Sequence, residues 1–171
     1  CYTGSFSVYS AEGRACRVES VDLSNTYLDW AKKNMELNGF TDKNKFFYTK
    51  HDVTGFLNQK NAEVPAKDGS NRYDMIILDP PTFSNSKSTE NVLDINRDWK
   101  ELCAKCIKIL RPKGILYFST NSRRLSFNES ELKFLAGSEI DFSVEDITIK
   151  TIDEDFSGKK IHRCWKITRI N

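Results

Sequence analysis

The chain has 171 residues, with 26 Lys and Arg against 24 Asp and Glu, and a formal net charge of +2. A length of this kind suits one domain, and 39% hydrophobic with 29% charged residues is typical of a globular protein. The near-neutral charge excludes nucleic-acid binding by bulk charge alone, so local patches would have to hold any RNA. No apolar run approaches the ~20 residues of a membrane helix, and the opening residues lack a secretory pattern, so we expect a cytoplasmic protein with no membrane partner.

The helical and strand patterns alternate along the chain. A cap at Ser24 and a stop at Gly39 frame the clearest helix, whose residues Leu28, Ala31 and Met35 share one face. In chain order we predict helix 5–14, strand 17–23, helix 25–38, strand 45–50, helix 53–60, polar loop 62–71, strand 73–78, a long polar loop, a helix ending at 110, turn 112–114, strand 115–119, helix 129–136 and β-rich stretches 142–151 and 160–170.

This alternation predicts an α/β fold of the doubly wound class, with a parallel sheet between helices. The short polar segment 153–159 cannot hold a parallel crossover, so the last two strands should form an antiparallel hairpin. The segment Cys1-Tyr-Thr-Gly reads as the loop after a strand, with no strand before it. We therefore interpret residues 1–171 as one domain from a longer protein, cut just after its first core strand.

The cysteines indicate reduced thiols, as in a cytosol, because their count is odd and their spacing shows no disulfide framework. Cys103 and Cys106 form a C-x-x-C, but they fall on the apolar face of a predicted helix with Trp99, Leu102 and Ile107. No second pair of Cys or His lies at zinc spacing. We therefore expect buried structural thiols and no metal site.

Polar residues at the predicted strand ends mark the candidate ligand site, because ligands of open α/β sheets bind beyond the carboxyl ends of the strands. Asp22, Asp52 and Asp79 each end a strand, and each alone could be only a cap or turn residue. The eight glycines form neither a G-x-G-x-x-G nor a P-loop, which excludes the usual pyrophosphate cradles. S-adenosylmethionine fits better, with Asp22 accepting from the ribose diol and Asp52 from the adenine amine.

The segment Asp79-Pro80-Pro81-Thr82-Phe83 is the most specific local signal. Its two prolines fix the backbone in an extended loop that can hold a carboxylate and a carbonyl where a planar base would dock. Phe83 is then available to stack on that base. Asp-Pro-Pro after a buried strand resembles motif IV of methyltransferases that act on nucleic-acid bases.

Longer motifs strengthen this resemblance and extend it over almost the whole chain. Together they resemble the bacterial 23S ribosomal-RNA guanine-N7 methyltransferases, often fused to a second methyltransferase. The matching segments are Cys1-Tyr-Thr-Gly-Ser-Phe, Val21-Asp-Leu-Ser-Asn-Thr-Tyr-Leu-Asp-Trp-Ala, Asn34-Met-Glu-Leu-Asn-Gly, Leu78-Asp-Pro-Pro-Thr-Phe-Ser-Asn-Ser-Lys, Arg97-Asp98, Leu116-Tyr-Phe-Ser-Thr-Asn, Asp155-Phe156 and Ile161-His-Arg-Cys-Trp.

The resemblance implies a class I, Rossmann-like methyltransferase fold with strand order 3-2-1-4-5-7-6, whose first strand is missing here. It implies S-adenosylmethionine as cofactor, 23S rRNA as partner, and further RNA-binding or methyltransferase domains in the full polypeptide. The cofactor candidates are Tyr2, Thr3, Gly4, Ser5, Asp22, Leu23, Asp52, Val53 and Asp79. The catalytic candidates are Asp79, Pro80, Pro81 and Thr82.

Contacts to RNA are predicted from cations and polar groups near the same sheet edge. The substrate candidates are Phe83, Lys87, Asn121, Arg123, Arg124 and His162, with Arg97, Lys100 and Arg163 as further cations. Among these cations we favour Arg123-Arg124, beside Asn121, as the RNA contact. A single cation on a helix is as often exposed to solvent without a function as it is bound to RNA. His162 could equally be a packed structural histidine.

Two other function classes stay open. A related family methylates cytosine C5 through a cysteine thiolate in a Ser-Cys-Ser segment after strand five, but Ser119-Thr120-Asn121-Ser122 here holds no thiol. Methylation of an exocyclic amine on RNA remains an alternative, as does a non-catalytic cofactor-binding module that docks RNA. Guanine N7 carries a lone pair and no proton, so its methylation requires positioning and no general base.

Overall fold

The computed structural model describes residues 1–63, 72–84, 93–156, 158–159 and 162–171. The chain forms two compact units, Cys1–Phe56 and Leu57–Asn171. Within the described ranges, every helix is too short or too polar to cross a membrane.

The first unit holds two parallel strands and the helices that follow its loops. Its elements are α1 (Ser5–Glu12), β1 (Val18–Asp22), α2 (Asn25–Leu37), β2 (Phe46–Lys50) and the start of α3 (Val53–Glu63). Strand β1 pairs with β2 from Val18↔Phe46 to Asp22↔Lys50. The predicted ends of α2 are confirmed, because Ser24 Oγ accepts from the Tyr27 amide at 3.4 Å and Gly39 takes a φ of 82°.

The second unit holds a four-stranded mixed sheet in the order β3-β6-β8-β7. Strands β3 and β6 are parallel, and β8 runs antiparallel to β6 and β7. The elements are β3 (Tyr73–Leu78), β4 (Phe83–Ser84), β5 (Leu93–Asp94), α4 (Ile95–Ile109), β6 (Leu110–Thr120), α5 (Glu129–Ala136), β7 (Phe142–Asp146) and β8 (Arg163–Arg169). The predicted antiparallel hairpin at the end of the chain is therefore confirmed.

Strand β7 ends earlier than the sequence pattern predicted. Asp146 Oδ1 accepts a hydrogen bond from the Thr148 amide at 2.9 Å, and this side-chain turn takes the backbone out of the sheet. A short 3₁₀ turn over Ile149–Thr151 follows where strand was expected.

Strand β6 begins earlier than predicted, because the turn at 112–114 is inserted in it as a bulge. Tyr73 pairs with Leu110 and Met75 with Ile115, so the register shifts between them. Lys113 takes the positive φ of 67°. A Cβ on Gly114 would lie 2.8 Å from the Arg111 carbonyl oxygen, so the close backbone approach requires glycine there.

The core of the second unit lies between α4 and the sheet. Trp99 and Leu102 of α4 are buried, as are both thiols of the C-x-x-C, which confirms the predicted apolar face. Burial raises the pKa of Cys103 well above its ordinary value and that of Cys106 to about 12, so both stay protonated and unreactive. Trp165 stacks on the ring of Phe118 with centroids 5.5 Å apart.

The strand orders confirm the α/β fold class. Order β2-β1 in the first unit and β3-β6-β8-β7 in the second correspond to the 3-2 and 4-5-7-6 portions of the class I methyltransferase order. Position 1 of that order has no strand among the residues that the structure describes.

Candidate functional site

Asp22, at the carboxyl end of β1, holds the loop that opens the chain. Its Oδ2 accepts from the Cys1 nitrogen at 2.7 Å and from the Tyr2 amide at 3.1 Å, and its Oδ1 accepts from the Ser24 amide at 2.9 Å. Burial acts to raise the pKa of Asp22, but these hydrogen bonds outweigh it, and the pKa lies below the ordinary value. Asp22 is therefore ionised at neutral pH and remains an acceptor.

The acceptor capacity of Asp22 is nearly filled by these contacts. A carboxylate offers about four lone-pair positions, and three are used by residues in the described ranges. The position that remains lies on Oδ1, which accepts only one of the three bonds. Asp22 can thus accept from one ribose hydroxyl directly, whereas two hydroxyls would require a loop contact on Oδ2 to yield.

Gly4 fixes the same loop against α2. It takes a φ of 77° at the start of α1, and a Cβ there would lie 2.6 Å from the Ala31 Cβ. Asn34 Nδ2 donates to the Thr3 carbonyl at 2.8 Å, and the Thr3 and Ser5 hydroxyl oxygens lie 3.3 Å apart. The predicted cofactor residues Tyr2 to Ser5 and Asp22 are therefore brought together. Asn34 holds them, although sequence reasoning assigned it no role.

Asp52, two residues beyond β2, caps α3. Its Oδ1 accepts from the Gly55 amide at 2.8 Å, and its Oδ2 lies 3.2 Å from His51 Nδ1. The His51 amide donates to the Asp22 carbonyl at 3.1 Å, which ties the ends of β1 and β2 together. Val53 begins α3 and Leu23 directly follows Asp22, so all the cofactor candidates of this unit lie at or just after its two strand ends or in the opening loop.

In the second unit, Asp79 follows β3 and is held from the neighbouring strand. Ser119 Oγ, on β6, donates to Asp79 Oδ1 at 2.7 Å. The Thr82 carbonyl accepts from the Ile95 amide at 3.2 Å, so the Asp-Pro-Pro-Thr loop is fastened to the first turn of α4. These two bonds anchor the loop at both ends and leave Asp79 Oδ2 without a partner among the described residues.

A surface depression of about 280 Å³ lies beside this loop. Four predicted substrate residues line it, together with Thr82, a predicted catalytic residue. Two further lining residues were not predicted from the sequence. Arg123 and Arg124 are exposed, and neither side chain forms an ion pair or hydrogen bond with any residue in the described ranges. The lining residues are Thr82, Phe83, Asn96, Asn121, Ser122, Arg123 and Arg124.

Asn96 and Ser122 are the two missed residues. Ser122 Oγ donates to Asn96 Oδ1 at 2.6 Å, linking the loop after β6 to the first turn of α4. A Ser after a strand and an Asn in a helix are too common to be singled out from one sequence. The spacing Asp94-x-Asn96 at a helix start, typical of a capped turn, was the available signal.

The other cation candidates are engaged within the chain. Arg97 Nε donates to Asp98 Oδ1 at 2.6 Å, and Lys100 Nζ donates to Glu131 at 2.6 Å. Arg163 donates to the Leu125 carbonyl at 2.6 Å and lies over the Trp165 ring.

His162 lies one residue beyond the Thr120↔Arg163 pair of β6 and β8, and its Nε2 is 2.8 Å from Thr151 Oγ1. Lys87 lies outside the described residues. Among the residues described, no group of three or more His, Cys, Asp and Glu side chains could hold a metal ion.

The chain is similar over nearly its whole length to ribosomal-RNA methyltransferases, although no family model matches it. It is 46% identical over 167 residues to Ribosomal RNA large subunit methyltransferase K of Neisseria meningitidis serogroup B, covering 97% of the chain and 43% of that protein. It is 45% identical to Ribosomal RNA large subunit methyltransferase K/L of Pseudomonas fluorescens Pf-5, covering 98% of the chain and 20% of that protein. These relatives confirm the resemblance to large-subunit rRNA methyltransferases that the motifs indicated.

The fold is similarly shared with solved structures. The SAM-dependent methyltransferase from Agrobacterium tumefaciens superposes with a TM-score of 0.70 at 24% identity, covering 99% of the chain and 53% of that protein. The likeness confirms the predicted fold class.

Proposed function

We propose that this chain, homologous to part of the ribosomal RNA large-subunit methyltransferases K and K/L, is a catalytic domain that transfers a methyl group from S-adenosylmethionine to a guanine N7 of 23S rRNA. The chain spans less than half the length of both relatives, so we further propose that other domains of a cytoplasmic polypeptide complete the RNA grip. Residues 1–171 then form one such domain.

The observation that carries the proposal is the depression beside the Asp-Pro-Pro-Thr loop. Its lining combines an exposed aromatic ring, Phe83, with the amide and guanidinium groups of Asn121, Arg123 and Arg124. A planar base can stack on the ring, and the donors can bind acceptor atoms on the edge of a base, provided that the N7 lone pair is left open toward the methyl group. The exposed guanidinium groups of the two arginines also support a contact with RNA phosphates.

Support for the cofactor comes from the first unit. The Asp22 carboxylate keeps one acceptor position for a ribose hydroxyl beside the loop Tyr2 to Ser5, and Asp52 lies at the next strand end. S-adenosylmethionine, when bound, supplies an electrophilic methyl group on a sulfonium sulfur. The residues of this unit are thus suited to bind and orient a nucleoside that has no pyrophosphate.

Methylation at guanine N7 requires the chain only to position the base against the methyl group. The N7 lone pair forms the new bond to the methyl carbon as the bond from carbon to sulfur breaks, and no proton leaves the base. Ser119 fixes Asp79 Oδ1, so Oδ2, which has no partner among the described residues, can orient a donor on the base or cofactor without acting as a base.

The cytosine-C5 alternative lacks its nucleophile among the described residues. The thiol beside the Asp79 loop is Cys164, which pairs with Ser119 across β6 and β8. Burial, with the charges of Asp79 and Asp146, raises the pKa of Cys164 to about 11. A thiol of that kind is protonated at neutral pH and cannot add to carbon 6 of cytosine.

The test is mass spectrometry of rRNA nucleosides from a strain that lacks the gene. We expect 7-methylguanosine at one 23S nucleotide to disappear, to return with the wild-type full-length gene, and not to return with Asp79→Ala. If the deletion strain instead lacks 5-methylcytidine or a nucleoside methylated on an exocyclic amine, that atom is the methyl acceptor and guanine N7 is not. Restoration by Asp79→Ala would remove the role proposed for Asp79, whereas a wild-type full-length protein that binds RNA and cofactor yet transfers no methyl group would favour a non-catalytic RNA-docking module.

A further inference from the structure

A chain of hydrogen bonds runs through the wall of the depression and has no part in the function proposed above. Ser122 Oγ donates to Asn96 Oδ1 at 2.6 Å, and Asn96 Nδ2 donates to Asp94 Oδ1 at 3.2 Å. The same Asp94 oxygen accepts from the Asn96 amide at 2.9 Å as the cap of α4. Ser122 is only 7% exposed, and its amide donates to Thr120 Oγ1 at 3.0 Å, so this end of the chain of bonds is fixed.

The chemistry of the three groups sets the direction of these bonds. An ionised carboxylate only accepts, so the Asn96 amide must turn its nitrogen toward Asp94. Its oxygen then faces Ser122, and the Ser122 hydroxyl hydrogen is committed to that oxygen. A flipped amide would place two acceptor oxygens together and is excluded on that ground.

One donor is left over by this arrangement. The Asn96 amino group has two hydrogens, and one is used by Asp94. The second has no acceptor among the described residues, and Asn96 lines the depression. The Asn96 amide can therefore donate a hydrogen bond to a ligand in the depression. It cannot accept one, because its oxygen is already bonded to Ser122.

A fixed donor discriminates between purines. Beside N7, guanine carries the O6 acceptor, whereas adenine carries an amine that would meet the donor with another donor. The discrimination depends on the amide keeping its orientation, which Ser122 and Asp94 enforce.

We propose that Asn96 is a specificity-determining residue that donates to O6 of the target guanine, and that Ser122 is the positioning residue that holds its amide. This inference rests on the proposed function. It adds the group that selects the base and predicts that selection can be lost while methyl transfer persists.

The test compares two RNA fragments in single-turnover methylation by the full-length protein. One carries guanine at the nucleotide located by mass spectrometry, and the other carries 2-aminopurine, which keeps N7 and lacks O6. Losing one hydrogen bond should slow guanine methylation by Asn96→Ala about tenfold, with the 2-aminopurine rate unchanged. Asn58→Ala, at an exposed asparagine of α3 outside the depression, should leave both rates as in wild type.

Ser122 provides the second arm. Ser122→Ala should lower the guanine rate alone, by less than Asn96→Ala, and Ser122→Thr should restore it because the hydroxyl donor returns. If Asn96→Ala fails to fold, the comparison of Ser122→Ala with Ser122→Thr still tests the inference. Equal slowing of both substrates, or of neither, by the variants that fold would overturn the inference while the proposed function stands. A wild-type protein that methylates no guanine would overturn the proposed function and this inference with it.

Discussion

Gly4 gives the sharpest stability prediction, because its backbone angle and its packing both exclude a side chain. At a φ of 77°, alanine costs about 1–2 kcal/mol for the left-handed conformation. The added Cβ would also lie 2.6 Å from the Ala31 Cβ and 2.7 Å from the Ala31 Cα, so α1 and α2 must separate, at a further cost of about 1–3 kcal/mol. We therefore expect Gly4→Ala to destabilise the first unit by about 2–5 kcal/mol.

Gly39→Ala is the matched control. Gly39 has a similar φ of 82°, but a Cβ there meets nothing within 4 Å, so only the backbone cost of about 1–2 kcal/mol applies. The measurement is amide hydrogen exchange of the α1 and α2 peptides in the full-length protein, which reports the free energy of local opening. Gly4→Ala should speed exchange about tenfold or more beyond Gly39→Ala. Equal effects of the two variants would refute the packing argument.

The remaining predictions concern the proposed activity. Asp22→Ala should weaken S-adenosylmethionine binding measured by calorimetry, because a ribose acceptor and the anchor of the opening loop are both lost; unchanged affinity would remove the ribose assignment. Asp79→Ala should slow single-turnover methylation about a hundredfold, the effect of losing ~2.7 kcal/mol of orienting interaction, with RNA affinity within a few-fold. Arg123→Ala with Arg124→Ala should instead weaken RNA binding and reduce its salt dependence by about one to two phosphate contacts, measured by filter binding. Cys164→Ala should keep methyl transfer in the folded protein, and complete loss of turnover with intact cofactor binding would revive the covalent mechanism.

Local signals predicted the elements well wherever one physical cause dominates. The apolar positions of α4 repeat at helical spacing, and the side chains so predicted are buried. Ser24 and Gly39 predicted the ends of α2 because capping and a positive φ are local requirements. The antiparallel pairing of the last two strands was predicted from the short segment 153–159, but β7 ends at Asp146 and β8 begins at Arg163, so the real connection is long enough for a crossover and loop length does not explain the pairing.

Other features depend on contacts that a single sequence does not reveal. The turn at 112–114 was predicted, but whether it ends a strand or bulges within one depends on pairing with β3, far away in the chain. Asn96 and Ser122 are separated by 26 positions, and only the fold makes their hydrogen bond visible. Several predicted RNA cations likewise have intrachain partners, such as Glu131 for Lys100, that no local pattern indicates.

The three aspartates at the strand ends show that one carboxylate can cap or brace the chain and still contact a ligand. Asp22 accepts three hydrogen bonds from the chain, Asp52 caps α3 while its second oxygen lies beside His51, and Asp79 accepts one bond from Ser119 among the described residues. Each bond within the chain restricts the carboxylate in advance, so less conformational entropy is lost when a ligand binds to it. The more such bonds a carboxylate has, the fewer acceptor positions it keeps. Among the described residues, Asp22 therefore keeps room for one contact with a cofactor group, whereas Asp79 is held through Oδ1 and keeps all of Oδ2 for the base or the cofactor.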